Sequence, residues 1–588
     1  MVEFNGHSAQ LPELLKRPIT PDGFIELGDG SLGVLPESWL RRLEALRALG
    51  GEAEGDVVRV ARSRALLLDA MLSAQEQGDM VVDAAFARMR ERIAAFTKVE
   101  PLQESSAFVG ELRPYQREGL GWLAFLREFG FGGCLADDMG LGKTVQVLAH
   151  LCAPRESSVA GAVKAKGRRK VDARRPSVLV APRSVLGNWL AEAKRFAPGL
   201  RVLDFSTPDR WRDGAEKRVR EHDLVLTTYA MLRHDAPQFV ERKLDFHYAI
   251  LDEAQAVKNP DSQSSKAARL LVAQHRLVLT GTPVENHLGD LWSLFEFLNP
   301  GMLGRLPAFR GLFGKGASGE AMTKHRELVQ RALRPVMLRR TKQQVLKDLP
   351  DKVEQTLWCE LGPVQRKRYD ALRKHYQQKL LGEPGELDDK QRFMVLEALL
   401  RLRQAACHEA LLPGGDPAAE SAKFEELLPR IEELATEGHK ALVFSQFTSV
   451  LDLIEPKLRE RGIDFERLDG QTTRRAQHVE RFQTERNCAV FLISLKAGGF
   501  GLNLTAASYV FVLDPWWNPA AEMQAIDRAH RIGQKRVVNA YRLVCRGTVE
   551  ERVLELQAQK KALCELILGN ERSLLQDLKR ADLELLLG

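Results

Sequence analysis

Residues 134–144, CLADDMGLGKT, place a lysine and a threonine directly behind two glycines. That order suits a loop that cradles phosphates. Backbone N–H groups from Gly140 through Leu141 and Gly142 to Lys143 would face the anion at a helix N-terminus. Lys143 would reach the outer phosphates, and the Thr144 hydroxyl would hold Mg2+. The general pattern G-x-x-x-x-G-K-[ST] has glycine where this chain has Asp137, and a second carboxylate, Asp138, follows at once. Taken alone, the stretch reads either as a phosphate loop or as an ordinary strand–turn–helix with glycine at the bend.

A second group stands in YAILDEAQ (248–255). A buried strand ending in Asp252 would offer a carboxylate to Mg2+, and Glu253 beside it would orient and deprotonate an attacking water. The third group is NPAAEMQAIDRAHRIGQ (518–534), where Asn518 and Pro519 suit the N-cap and first turn of a helix. Gln524, Arg528 and Arg531 then fall at i, i+4 and i+7 on one helical stripe. Such a stripe either faces solvent or carries paired arginine fingers for a γ-phosphate. A finger supplies roughly 10³–10⁵ in rate, about 4–7 kcal/mol of barrier. Guanidinium suits the task because it stays charged and grips phosphate oxygens in a fork.

The elements that must position these groups show as short apolar runs alternating with helical stretches. The runs are GGCLA (132–136), SVLVA (177–181), DLVLTT (223–228), YAILD (248–252) and RLVLTG (276–281). A second set follows in KALVFS (440–445), CAVFLIS (488–494) and YVFVLD (509–514). Alternation of this kind is the trace of parallel sheets covered by helices, so two α/β lobes are expected. The stretch from about 300 to 420 reads as mostly helical. Ahead of the lobes, FIELGDGSLGVL alternates around Gly28–Ser31 as a hairpin, and WLRRLEALRAL and ARSRALLLDAMLSAQ read as amphipathic helices. The boundaries expected are 1–105 for an N-terminal accessory region, 106–300 for the first lobe and 301–422 for a helical linker. The second lobe then takes 423–547 and a C-terminal helical brace takes 548–588.

Composition excludes several classes. The chain has 588 residues, 44% hydrophobic and 28% charged, which suits a globular protein of several domains. No run approaches the ~18 apolar residues of a membrane span, and the N-terminus lacks a signal-peptide pattern, so a cytoplasmic location is expected. Seven scattered cysteines without C-x-x-C read as reduced thiols, and Cys407–His408 has no neighbouring cluster to make a metal site. A net charge of +7 agrees with a polyanionic partner. The basic stretch 155–177, RESSVAGAVKAKGRRKVDARRPS, reads as a solvated loop or as a flexible arm on nucleic acid.

Together these residues resemble the Swi/Snf-type ATPases, the DNA-translocase branch of the superfamily-two helicases. The resemblance covers about 110 to 560. It is carried by LRPYQREGLGWL (112–123), LADDMGLGKT, VLVAPRSVLGNW (178–189), LVLTTYAML (224–232), LDEAQAVKN (251–259) and LTGTPVEN (279–286). It continues through LRRTKQQVLKDLP (338–350), LVFSQFTSVLDLI (442–454), LDGQTTRR (468–475), LISLKAGGFGLNLTAAS (492–508) and QAIDRAHRIGQ (524–534). It implies two RecA-like lobes, ATP and Mg2+ as cofactors, and an active DNA-stimulated ATPase that moves along duplex DNA as a monomeric, nucleoid-associated motor. DNA-bound complexes such as RNA polymerase are the proteins such a motor would displace.

The resemblance gives Gln116 to adenine, Lys143 and Thr144 to phosphate and Mg2+, and Asp252 and Glu253 to Mg2+ and water. It gives Thr280, Gly281 and Thr282 to coupling between lobes, and Arg528 and Arg531 to the fingers. Gly498, Gly499, Gly501 and Asn503 would line the nucleotide and DNA cleft. Arg183, Asn188, Lys496, Trp516 and Trp517 are candidate DNA contacts, with one of the tryptophans expected in the core.

The chain departs from the family in having Asp-Asp before Met139, DEAQ in place of DEGH or DEAH, and Glu409 where proline is frequent. The family carries aspartate at the position of Asp137, so the two carboxylates need not face phosphate. Asp138 is expected beside the nucleotide, either turned away or in the Mg2+ shell. The N-terminal 105 residues hold no Cys/His zinc module, which implies a shorter form or a chain lacking an original N-terminus. An RNA or single-strand helicase, and a scaffold with a degenerate motor, are the competing functions.

Overall fold

Strand and helix placement follows from where apolar runs can be buried on both faces. The computed structural model describes 51–54, 57–73, 82–94, 100–154, 175–212, 214–281, 288–304, 306, 327–346, 349–381, 389–495, 502–516 and 519–555. Before residue 51 it describes 2–4, 7–9, 14–15, 24–26 and 32–34. The chain forms two compact units. One takes 1–136, 143–283 and 288–339, and the other takes 137–142, 284–287 and 340–588.

The first unit is built on a seven-stranded sheet. Its strands are β1 (Gly133–Leu135), β2 (Ser177–Ala181), β3 (Val202–Asp204), β4 (Leu224–Thr228), β5 (Phe246–Asp252), β6 (Ala273–Leu279) and β7 (Met337–Leu338). They lie in the order β7–β1–β6–β5–β2–β4–β3, and the pairings are parallel. Every residue of β2 and β4 is buried, as a strand with helices on both faces requires. Helix α1 (Pro114–Phe129) ends at Gly130 in the left-handed region, φ 64°. Its Trp122 is fully buried and donates Nε1–H to the Pro335 carbonyl at 2.8 Å, which ties the start of β7 to the sheet. Asn299 accepts from the Gly132 N–H and donates to the Gly132 carbonyl, both at 2.9 Å, and so fixes the entry of β1.

The second unit holds a six-stranded parallel sheet of β8 (Lys352–Cys359), β9 (Ala441–Ser445), β10 (Asp464–Leu468), β11 (Cys488–Ser494), β12 (Tyr509–Val512) and β13 (Val538–Cys545). Their order is β8–β13–β12–β9–β11–β10. The expected runs at 132–136, 177–181, 223–228, 248–252, 276–281, 440–445, 488–494 and 509–514 all contain strands. Among the described residues the stretch from 300 to 420 is mostly helical, as expected, and it also supplies β7 and the eight-residue β8. β8 escapes a hydrophobic scan because it is an edge strand with four of its eight side chains exposed.

The hairpin around Gly28–Ser31 pairs Phe24–Glu26 with Leu32–Val34, antiparallel. A helix spans Ala65–Ser73, while the helix expected at 39–49 lies outside the described residues. Residues 549–555 are helical, with Val549 and Val553 in the second unit's core. The remainder of the expected brace and residues 155–174 of the basic stretch lie outside the described residues. Among the described residues, no helix is long and apolar enough to cross a membrane.

Candidate functional site

Within the first unit, β5 delivers Asp252 and Glu253 at its C-terminal end, where a parallel sheet opens to ligands. Asp252 is 6% exposed and tightly held. Its Oδ2 accepts the Trp189 Nε1–H at 2.8 Å, and its Oδ1 accepts the Glu253 N–H at 2.9 Å. The Tyr229 hydroxyl donates to the Asp252 carbonyl at 2.8 Å. Burial pushes the Asp252 carboxyl up from its ordinary range, and the neighbouring Glu253 adds to this. The Trp189 bond and the charge of Lys143 pull the other way.

Glu253 has φ 47°, ψ 58°, a left-handed conformation that costs a residue with a Cβ about 1–2 kcal/mol. The bend ends the strand and turns the carboxylate off its line. The Gln255 side-chain amide donates to Glu253 Oε2 at 3.0 Å, so Gln255 steadies the adjacent acid rather than reaching elsewhere.

Helix α2 (Lys143–Cys152) begins at Lys143, so Lys143 and Thr144 occupy its first turn as expected. The donor set fits Mg2+. Two adjacent acids in a buried position, one pushed up by desolvation, form a site that gains from a cation. A carboxylate and a hydroxyl leave the remaining positions to phosphate oxygens and water, as this ion prefers. Among the described residues no group of three or more His, Cys, Asp or Glu side chains could hold a metal by itself.

The turn before α2 answers the question raised by its two aspartates. Gly140 has φ 89° and Gly142 φ 74°, so both occupy the region that favours glycine. A Cβ at Gly140 would also stand 2.8 Å from Arg531 Cγ. Asp137 is fully buried. Its Oδ1 accepts Arg340 Nε–H at 3.0 Å and its Oδ2 accepts Arg340 Nη2–H at 2.5 Å. Asp138 donates its N–H to the Arg340 carbonyl at 3.0 Å, and its Oδ2 accepts the Lys342 N–H at 3.0 Å. Both carboxylates therefore bind the 340–342 segment.

The 518–534 segment differs from the single helix that its spacing predicts. Helix α4 covers Pro519–Ile526 only, and 527–533 are turns and bends. Gln524 is on the helix, whereas Arg528 and Arg531 lie beyond it. The carbonyls that a helix running through Gln534 would use are taken by other donors. Arg528 O accepts the Leu504 N–H at 3.0 Å, Ala529 O accepts the Gln534 side-chain amide at 3.0 Å, and His530 O accepts Lys342 Nζ at 2.5 Å. Arg528 is fully buried within this turn and Arg531 is partly buried, so neither belongs to a solvent-facing helical stripe.

Other expected positions are placed as follows. Gln116 is buried at the start of α1, where its Oε1 accepts the Arg113 N–H at 2.9 Å and caps the helix. The Thr280 N–H donates to the Leu135 carbonyl at 3.1 Å, extending the β1–β6 pairing, and Gly281 follows. Arg183 is exposed at the start of helix α3 (Arg183–Phe196), whereas Asn188 donates to Glu192 on that helix at 3.0 Å. The Asn503 carbonyl accepts the Gln483 side-chain amide at 2.6 Å. Trp516 packs against the second unit's core, as expected for one of the tryptophans. Thr282, Lys496, Gly498, Gly499, Gly501, Trp517 and Asn518 lie outside the described residues. Cys407 is buried near Glu550, and His408 Nδ1 accepts the Ala410 N–H, so the pair serves packing and capping. Sequence reasoning missed Trp189, Tyr229, Arg340, Lys342 and Asp527. A lone buried aromatic or a basic residue in a short loop shows nothing of its partner in the sequence.

Paired parallel sheets, a left-handed glycine turn leading into Lys143-Thr144, and adjacent acids at a strand end define a phosphate-loop protein of the two-lobed class. Residues 115–411 match the SNF2-related domain and 422–533 match the helicase conserved C-terminal domain. The chain belongs to the SNF2-related family.

It is 37% identical over 479 residues to an uncharacterized ATP-dependent helicase of Mycoplasma pneumoniae, covering 81% of this chain and 44% of that one. It is 36% identical over 526 residues to the putative ATP-dependent helicase/translocase YwqA of Bacillus subtilis, covering 86% and 55%. A solved Sulfolobus solfataricus SWI2/SNF2 ATPase core in complex with double-stranded DNA is 35% identical, covering 84% of this chain and 99% of that one, with a TM-score of 0.38. The chain spans about half the length of the curated bacterial relatives it matches.

Proposed function

We propose that the chain is an ATP-driven motor that hydrolyses ATP and moves along double-stranded DNA, displacing or remodelling proteins bound there. The observation that carries the reading is the Asp252–Glu253 pair, oriented by Trp189 at the end of β5 in the same unit as Lys143 and Thr144. In this mechanism Lys143 binds the outer phosphates, while Gly140 and Gly142 allow backbone N–H groups to face them. Thr144 and Asp252 would hold Mg2+, which when bound neutralises charge on the phosphate oxygens. Glu253 orients the attacking water and takes its proton. Arg528 and Arg531 stabilise charge that develops on the γ-phosphoryl group. Gln116 holds the adenine, with its Oε1 already engaged by the helix N-terminus. The helicase/translocase name of the Bacillus subtilis relative agrees with an ATP-driven motor on nucleic acid.

The test is ATP turnover with duplex DNA, single strands and RNA, combined with a salt titration. Duplex DNA is expected to stimulate most and stimulation to fall steeply with salt, because grip on phosphates releases counterions. Glu253→Gln should abolish turnover while preserving nucleotide binding. A preference for RNA or single strands would favour a helicase. Equally low turnover of wild type and Glu253→Gln would favour a scaffold.

A further inference from the structure

Lys342 has two sets of partners, and both belong to motifs with assigned chemistry. Its side chain is 7% exposed, and its ammonium lies 2.8 Å from Asp527 Oδ1 and 2.5 Å from the His530 carbonyl oxygen. Asp527 and His530 bracket Arg528, and Arg531 follows. On its other side, the Lys342 backbone N–H binds Asp138, two residues from the Arg340 that binds Asp137. Residues 137–142, 340–342 and 527–531 all lie in one compact unit. Removing an ammonium from water is costly unless geometry repays it, and burial pushes Lys342 down from the ordinary lysine range against the pull of Asp527. An apolar residue would fill this volume at less cost, so the charge needs a reason beyond packing.

The non-helical turn that follows α4 supplies that reason. A continuing helix would direct the His530 carbonyl to an N–H four residues on, whereas Lys342 takes that carbonyl. The same ammonium holds Asp527, at the other side of Arg528. Arg531 Cγ lies close to Gly140, within the turn whose aspartates are bound by 340–342. The three segments thus form one bonded set, with the phosphate-loop turn at one end and the arginine-bearing turn at the other.

We propose that Lys342 is a positioning residue for Arg528 and Arg531, fixing the arginine-bearing turn relative to the phosphate-loop turn through Asp527 and the His530 carbonyl. The inference rests on the reading of Arg528 and Arg531 as groups acting on the γ-phosphoryl. Displacing such a group by about 1 Å costs on the order of 10²-fold in rate, with little effect on ground-state binding.

The test uses the full chain with duplex DNA and saturating ATP, comparing wild type with Lys342→Met, Asp527→Asn, Arg528→Ala and the double variant Lys342→Met/Arg528→Ala. Lys342→Met is expected to lower kcat by about 10–100-fold. KM for ATP and the affinity for a fluorescent ADP analogue should stay within about threefold. Asp527→Asn should shift kcat the same way by a smaller factor, and it keeps the test open if Lys342→Met folds poorly by its melting temperature. The double variant should be slower than Arg528→Ala by a smaller factor than Lys342→Met is slower than wild type, because one of the two arginines that Lys342 places is already absent. Wild-type kcat in both Lys342→Met and Asp527→Asn would overturn the proposal, as would a loss confined to nucleotide affinity or one that multiplies with Arg528→Ala. A wild-type chain without DNA-stimulated turnover, or Arg528→Ala at the wild-type rate, would overturn the underlying reading instead.

Discussion

Replacing Trp189 with phenylalanine removes one N–H from Asp252 and leaves an aromatic ring in its place. The lost bond is short, at 2.8 Å, and it ends on a carboxylate that is 6% exposed. A hydrogen bond to a charged group contributes about 1.5–3 kcal/mol, and the Glu253 N–H on Oδ1 is untouched. The ionised form of Asp252 therefore loses that stabilisation relative to the protonated form. Since about 1.4 kcal/mol corresponds to one pH unit, its titration should move up by about one to two units.

The direction is unambiguous. Burial and Glu253 already raise this carboxyl, the Trp189 bond lowers it, and removing the bond raises it further. The acid limb of kcat/KM for ATP in Trp189→Phe should thus move toward alkaline pH by the same one to two units. Activity near pH 9 should return to within about threefold of wild type. A melting-temperature comparison isolates the cost of the smaller ring. An acid limb at the wild-type position, or a deficit equal at every pH, would refute the reasoning and make Trp189 a packing residue only.

Two further outcomes concern stability. Asp137→Ala deprives the buried Arg340 guanidinium of its bidentate partner and should cost about 3–5 kcal/mol, read from the urea midpoint of the second unit's transition. Pairing it with Arg340→Met should recover most of that loss, and strict additivity would show that the ion pair is not the source. Glu104 is bound by the Arg117 fork at 3.0 and 3.1 Å, which holds its carboxyl down to about 2 from the ordinary 4.5. A depressed folded-state value contributes stability above pH 4.5 that is lost as pH falls toward 2. The melting-temperature gap between wild type and Glu104→Gln should therefore close across that window, and a constant gap would count against the pair.

The chemistry-bearing residues of the phosphate-loop turn, α2 and β5 were legible in the sequence because their order along the chain encodes their local geometry. Gly140 and Gly142 mark positive φ, Lys143 and Thr144 begin a helix by following them, and an apolar run ending in Asp252 and Glu253 is a buried strand. Strands buried on both faces, such as Ser177–Ala181 and Cys488–Ser494, were legible for the same reason. Edge strands were not. Lys352–Cys359 exposes half its side chains, so neither a continuous apolar run nor a strict alternation marks it.

Tertiary structure alone decided the partners and the backbone of the arginine-bearing turn. Helical spacing puts Gln524, Arg528 and Arg531 on one stripe, yet Leu504, Gln534 and Lys342 bind the carbonyls of Arg528, Ala529 and His530, which a helix running through Gln534 would use. Likewise the sequence shows two aspartates before Met139 but not the Arg340 and Lys342 that bind them some two hundred positions away. Local conformation is set by neighbours in sequence and can be read there. The pairing of buried charges depends on which distant segments the packed sheets bring within hydrogen-bond distance, and only the folded chain determines that.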